Sequence, residues 1–161
     1  MGAAVRRRGP ISNAVVLGPG EGELIQVATS SVLLKSTGEN TSGQLFFSET
    51  GLGAGFPGPR LHIHRELHDL LYVLEGTLTL RVGEQTLAAG TGTFACFPPG
   101  TAHTFSNEEG AEPVRFLNFN TPAGWENCMR DLGAAFAGDR APTAEEIGKI
   151  TARYDYEAVT S

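Results

Sequence analysis

Between residues 24 and 119 the chain is repeatedly cut into short apolar runs by glycine, proline and polar clusters, and this constrains its fold more than any other feature. Residues 77–82 alternate cleanly, with Leu78, Leu80 and Val82 on one face, as a half-buried strand does. Gly83-Glu84 turns the chain into residues 85–87, which reads as a hairpin. Residues 37–43 are a polar break and residues 51–59 a Gly/Pro-rich loop. The whole pattern amounts to about nine short strands, the last at 114–119. Short strands with regular turns predict an all-β sandwich or barrel.

Composition agrees with this. Glycine numbers 21 of 161 residues, about twice the usual ~7%, with no collagen period, as a turn-rich fold requires. Hydrophobic residues make up 40% and charged residues 19%, enough apolar surface for one core in one domain. The net charge of −6 lacks the basic face of a nucleic-acid binder, so no nucleic-acid partner is expected. The basic cluster Arg6-Arg7-Arg8 sits in an arm, residues 1–20, expected to be flexible in part. No secretory signal is readable, no apolar run reaches membrane-spanning length, and Cys96 and Cys128 form no disulfide framework. These features predict a cytoplasmic protein with no membrane partner.

After Thr121-Pro122 the pattern changes. Trp125, Met129, Leu132 and Phe136 recur at helical spacing and predict an amphipathic helix over 123–136. Thr143 with Glu146 three residues on is a capping-box signal for a second helix, with Ile147, Ile150 and Tyr154 as its buried stripe. The expected organisation is a β-barrel over 21–121 and a helical appendage, 122–161, packed on it.

All four histidines fall in two short stretches, His62, His64 and His68 in one and His103 in the other. His62 and His64 are two apart in a strand-like run, so both side chains leave one face. Two imidazoles directed into one cavity pack a core poorly but suit a transition metal. His103 follows the Pro98-Pro99-Gly100 turn, which can swing the next strand back across the barrel.

Residues 62–76, with two histidines, an acidic residue and a closing Gly76, resemble the first motif of the cupin superfamily. Residues 92–107 are similar to its second motif at Gly92, Pro98, Gly100, His103 and Asn107. The wider layout resembles single-domain, quercetin dioxygenase-like cupins. The resemblance implies a single jelly-roll-like cupin barrel with C-terminal α-helices, holding one divalent transition metal ion (Fe, Ni, Co, Mn, Cu or Zn) per chain. By the same analogy, a homodimer is expected.

The family's first motif supplies a glutamate ligand, and none stands in that place. Counting back from Gly76 reaches Asp69; counting forward from His64 reaches His68. The expected ligand set is therefore His62, His64, His68 and His103, with Asp69 as the alternative to His68. The reach of imidazole and its affinity for late transition metals favour His68. Asp69 and His68 are also the catalytic candidates, Asp69 as an orienting group or a base.

The resemblance implies a quercetinase-like dioxygenase acting on a small hydrophobic, oxygen-bearing substrate of flavonol or polyketide type. Two alternatives are a non-oxidative Lewis-acid cupin (isomerase, cyclase, decarboxylase or hydrolase) and a non-catalytic small-molecule-binding cupin. Phe46, Leu71, Val73, Phe94, Phe105, Phe116 and Phe119 are candidates for an apolar lining. Cys96 reads as a small buried filler, and Asn107 either as a turn residue at a strand end or as a residue of the site. Nothing in the spacing directs Tyr72 or Trp125 at the metal.

Overall fold

The period-two signal in the sequence becomes a period-two burial pattern in the strands. In the strand Phe46–Leu52 every second residue, from Phe46 to Leu52, is buried. The computed structural model describes residues 13–160, so Arg6-Arg7-Arg8 and most of the expected arm lie outside the described residues. The strands are β1 (Glu23–Val27), β2 (Ser30–Ser36), β3 (Phe46–Leu52), β4 (His62–Ile63), β5 (His68–Glu75) and β6 (Thr77–Val82). They continue as β7 (Gln85–Gly90), β8 (Phe94–Phe97), β9 (His103–Ser106) and β10 (Val114–Thr121). After helices α1 (Trp125–Phe136) and α2 (Ala144–Thr151) the chain forms a further short strand, β11 (Glu157–Ala158).

The strands make two antiparallel sheets, one ordered β1-β2-β3-β10-β5-β8 and the other β11-β4-β9-β6-β7. Their facing residues form the main core. Leu52, Leu71, Val73, Val114, Phe116 and Phe97 come from the first sheet, and Leu78, Leu80 and Ala89 from the second. This is the all-β barrel with trailing helices that the motifs imply.

A second cluster, Ile25, Val32, Leu34 and Phe46, continues the inward face along β1 to β3, and Trp125 and Met129 of α1 pack against it. The predicted helical stripe thus packs on the β1–β3 part of the first sheet. Cys128 and Leu132 are buried on α1. The capping box of α2 is present: Thr143 Oγ1 accepts the Glu146 N–H, and Glu146 Oε2 accepts the Thr143 N–H. Ile147, Ile150 and Tyr154 are half-buried.

Alternation also decides several side chains differently from expectation. On β10 the inward residues are Val114, Phe116, Asn118 and Asn120, so Phe119 faces outward and stacks on Phe47 at 4.6 Å. On β8 Phe97 is buried while Phe94 and Cys96 are exposed. Phe94 and Phe119 are therefore not barrel lining, and Cys96 is not a buried filler. Phe46, Leu71, Val73 and Phe116 are buried as expected, and Phe105 packs at the edge of the core. Asn107 is buried and structural: its Nδ2 donates to the carbonyls of Gly53 and Glu112. Gly76 turns between β5 and β6 with φ +80°, and an added Cβ would lie 2.8 Å from the Pro113 carbonyl oxygen. A side chain is excluded there by both conformation and space.

Residues 122–161 are more than a helical appendage, because β11 returns to pair with β4 beside His62 and Ile63. A two-residue strand carries no periodicity signal, so sequence pattern could not show it.

Leu78 is fully buried at the centre of the main core. Leu78→Ala should destabilise the protein by about 2–5 kcal/mol, read as a lower urea midpoint with an unchanged far-UV spectrum.

Candidate metal site

Four buried side chains converge at one end of the barrel: His62, His64, Asp69 and His103. Each offers one ligand atom, and these atoms lie within 4.8 Å of one another. His62 and His103 are directly paired across β4 and β9. His64 follows β4, and Asp69 is on β5. The Gly100 N–H donates to the His64 carbonyl at 2.7 Å, joining the two motif stretches just before His103. Gly100 has φ +82°, a left-handed conformation that favours glycine.

Backbone carbonyls set the tautomers. Nδ1 of His62 faces the Arg60 carbonyl at 2.7 Å, Nδ1 of His103 faces the Thr101 carbonyl at 2.9 Å, and Nδ1 of His64 faces the Asp155 carbonyl. A carbonyl oxygen only accepts, so each Nδ1 carries the proton and each Nε2 is left with a lone pair. His103 Nε2 is 3.1 Å and His64 Nε2 3.8 Å from Asp69 Oδ2. Imidazole lone pairs directed at a carboxylate oxygen repel unless a proton or a cation lies between them. Three imidazole nitrogens and one carboxylate oxygen also form a donor set suited to a divalent transition metal. The residues present therefore fit such an ion.

Asp69 is held firmly. Its Oδ1 accepts from Asn118 Nδ2 and Asn120 Nδ2, both at 2.7 Å, leaving Oδ2 turned to the histidines. Burial alone would push the carboxyl pKa up, but a proton on His103 Nε2 facing Oδ2, the charges that His103 and His64 carry when protonated, and the Asn118 hydrogen bond hold it below the usual carboxylate range. Burial lowers His62 to about 4 against the opposing pull of the Arg60 carbonyl. Burial lowers His64 as well, with the Asp155 carbonyl opposing. Neutral imidazoles are the metal-binding form.

His68 is not in the cluster. It is exposed at the start of β5, while Asp69, Leu71 and Val73 share the inward face of that strand. Adjacent residues of a strand face opposite ways, so one of the pair had to be excluded. The structure brings Asp69, not the favoured His68, to the other three ligands, and it leaves His68 facing away as a catalytic candidate. The signal was available in the sequence, because Leu71 and Val73 as lining residues put Asp69 on the same face.

Several residues around the cluster had no sequence signal. Asn118 and Asn120 hold Asp69, and Asn120 Oδ1 is buried with no hydrogen-bond partner. Ser48 and Thr50 on β3 are buried on the inward face and bonded to each other at 3.1 Å. The interior beside the site is thus partly polar, not uniformly aromatic. Trp125 lies with its ring 5.2 Å from that of His64, and Tyr156 stacks on His62 at 4.5 Å. Phe97 stacks on His103 at 4.1 Å. Tyr72 is exposed and faces away. A groove of about 450 Å³ between β1 and α1 shares no residue with the site.

His68→Ala should leave metal stoichiometry unchanged, whereas Asp69→Ala should lower metal affinity at least tenfold, as measured by elemental analysis and chelator competition. A pH effect also follows for the metal-free protein. Between about pH 4 and 6.5 the unfolded chain binds a proton at residue 62 that the folded chain does not, so stability rises with pH across that window. Acidification from pH 7 to 4 should remove on the order of 2–3 kcal/mol through His62. His62→Gln should flatten the dependence of the urea midpoint on pH.

Comparison with known proteins places these features. Residues 49–120 match the family model described as "Cupin domain". Over 94 residues the chain is 33% identical to quercetin 2,3-dioxygenase of Bacillus subtilis (strain 168), an alignment covering 56% of this chain and 26% of that enzyme. A sugar phosphate isomerase of the cupin superfamily from Silicibacter pomeroyi superposes with TM-score 0.52 at 26% identity, covering 59% of this chain and 60% of that one. This chain therefore aligns with about a quarter of the curated relative and less than two thirds of that solved structure. A polyketide cyclase from Streptomyces resistomycificus shares the fold with TM-score 0.57 at 18% identity, covering 67% of this chain and 79% of that one. The match to the cupin domain model thus spans the stretch, residues 49–120, that contains both motifs and all four converging side chains.

Proposed function

We propose that this chain is a metal-dependent cupin enzyme, a quercetinase-like dioxygenase acting on a flavonol- or polyketide-type enol or phenol. The observation that carries the reading is the buried convergence of His62, His64, Asp69 and His103 with every Nδ1 engaged by a carbonyl. The resemblance to a quercetin 2,3-dioxygenase across the cupin region supports the oxidative assignment.

A bound divalent metal would supply Lewis acidity, which lowers the pKa of a substrate hydroxyl or enol. His62, His64 and His103 would hold that ion through Nε2. Asp69 would contribute Oδ2, with Asn118 and Asn120 fixing the carboxylate through Oδ1. Ser48, Thr50 and the free Oδ1 of Asn120 give the interior hydrogen-bonding capacity for an oxygen-bearing substrate. The aromatic rings of Trp125 and Tyr156 wall the histidine side and suit a flat apolar body. The overall reaction consumes dioxygen and breaks a carbon–carbon bond.

One observation favours a non-oxidative Lewis-acid reading as the second choice. Asp69 is shorter than glutamate and two asparagines engage its Oδ1, so it is a poor proton acceptor. An enzyme that depends on a carboxylate to take the substrate's proton is less well served by this arrangement.

Oxygen consumption separates the two. Metal-loaded protein given a flavonol should consume dioxygen in step with substrate loss and stop under argon. Turnover that continues unchanged without dioxygen would transfer the assignment to Lewis-acid chemistry. Saturable binding without turnover would leave a binding cupin.

A further inference from the structure

We infer that the segment following α2, residues 154–159, is a built-in part of the metal site, with Asp155 as its positioning residue. The inference rests on the metal reading above and assigns to this segment a role that neither cupin motif contains.

Asp155 acts at two places. Its backbone carbonyl accepts the Nδ1–H of His64, 91 residues away in sequence. Its carboxylate accepts three consecutive backbone N–H groups, Arg65 at 2.6 Å, Glu66 at 3.0 Å and Leu67 at 2.9 Å. Those three residues are most of the link between His64 and Asp69. A single residue therefore sets the ring of one ligand and the turn leading to the next. A carboxylate satisfying three N–H groups is a charge-assisted arrangement, stronger than neutral hydrogen bonds.

The neighbours of Asp155 act on His62. Tyr156 stacks on its ring, and Ala158 and Glu157 pair with His62 and Ile63. The Val159 N–H donates to the Leu61 carbonyl at 2.8 Å. On its other side β4 pairs with β9 at one position only, His62 with His103. Without β11, the strand that carries His62 and leads into His64 would be an edge held by that single pairing.

Groups that orient metal-bound histidines change affinity by roughly 10- to 100-fold when removed. Cobalt(II) alone is a suitable probe, because its visible absorption reports ligand geometry independently of turnover. Asp155→Ala should weaken Co(II) binding at least tenfold in chelator competition and shift the visible band. Asp155→Asn, which keeps one side-chain acceptor oxygen, should fall between it and wild type. Arg65→Ala, which removes only the exposed ion pair with Glu157, should change neither readout. Thr143→Ala removes the capping box of α2 and serves as a control for lost stability, and its Co(II) spectrum should match wild type.

If Asp155→Ala melts lower yet binds Co(II) with wild-type affinity and spectrum, the segment is only structural and the inference fails while the metal reading stands. If wild type binds no Co(II), the metal reading itself fails and takes the inference with it. Should Asp155→Ala not fold, Asp155→Asn decides alone: weaker binding with a shifted band supports the assignment, and wild-type values overturn it.

Discussion

Three histidines donate Nδ1–H to backbone carbonyls, and this constraint organises the end of the barrel where they meet. Each carbonyl belongs to a different part of the chain: Arg60 before β4, Thr101 before β9 and Asp155 after α2. To bring three such acceptors together, the loop preceding β4, the Pro-Pro-Gly turn and the returning segment must all be in place. The consequence is a cluster of Nε2 lone pairs facing a carboxylate in a buried setting. That arrangement is unfavourable alone and becomes favourable around a cation. The barrel core supplies the rigidity that makes such a preorganised site affordable.

The aspartate shows how the interior adapts to a shorter side chain. A carboxylate one methylene closer to its backbone than glutamate needs its orientation fixed if one oxygen is to meet the histidines. Asn118 and Asn120, two apart on the inward face of β10, provide this by gripping Oδ1. The same grip engages lone pairs that a catalytic base needs, which links a local packing solution to the choice between oxygenase and Lewis-acid chemistry.

Closure of the site comes from residues outside both motifs. Trp125 at the start of α1 and Tyr156 before β11 cover His64 and His62, and their rings lie 6.1 Å apart. The helices thus bring the chain back to the barrel, and α1 also packs on the cluster formed by β1, β2 and β3. The short β11 is stabilised by its neighbours, not by intrinsic strand propensity, since two residues cannot nucleate a sheet by themselves.

Much of this was legible in the sequence. The strand pattern, both cupin motifs, α1, the capping box of α2 and three of the four converging ligands follow from local spacing, because periodicity and turn chemistry act over a few residues. Even the choice of Asp69 over His68 was implicit in the parity of Leu71 and Val73 on one strand. Parity likewise separates Phe116 from Phe119, which at a spacing of three cannot share a face of a regular strand. What only the tertiary structure decided were contacts between residues far apart in the chain: the asparagines on Asp69, Trp125 against His64, and Asp155 holding His64 and the turn after it. Such pairings depend on the three-dimensional return of the chain, for which a single sequence carries no local signal.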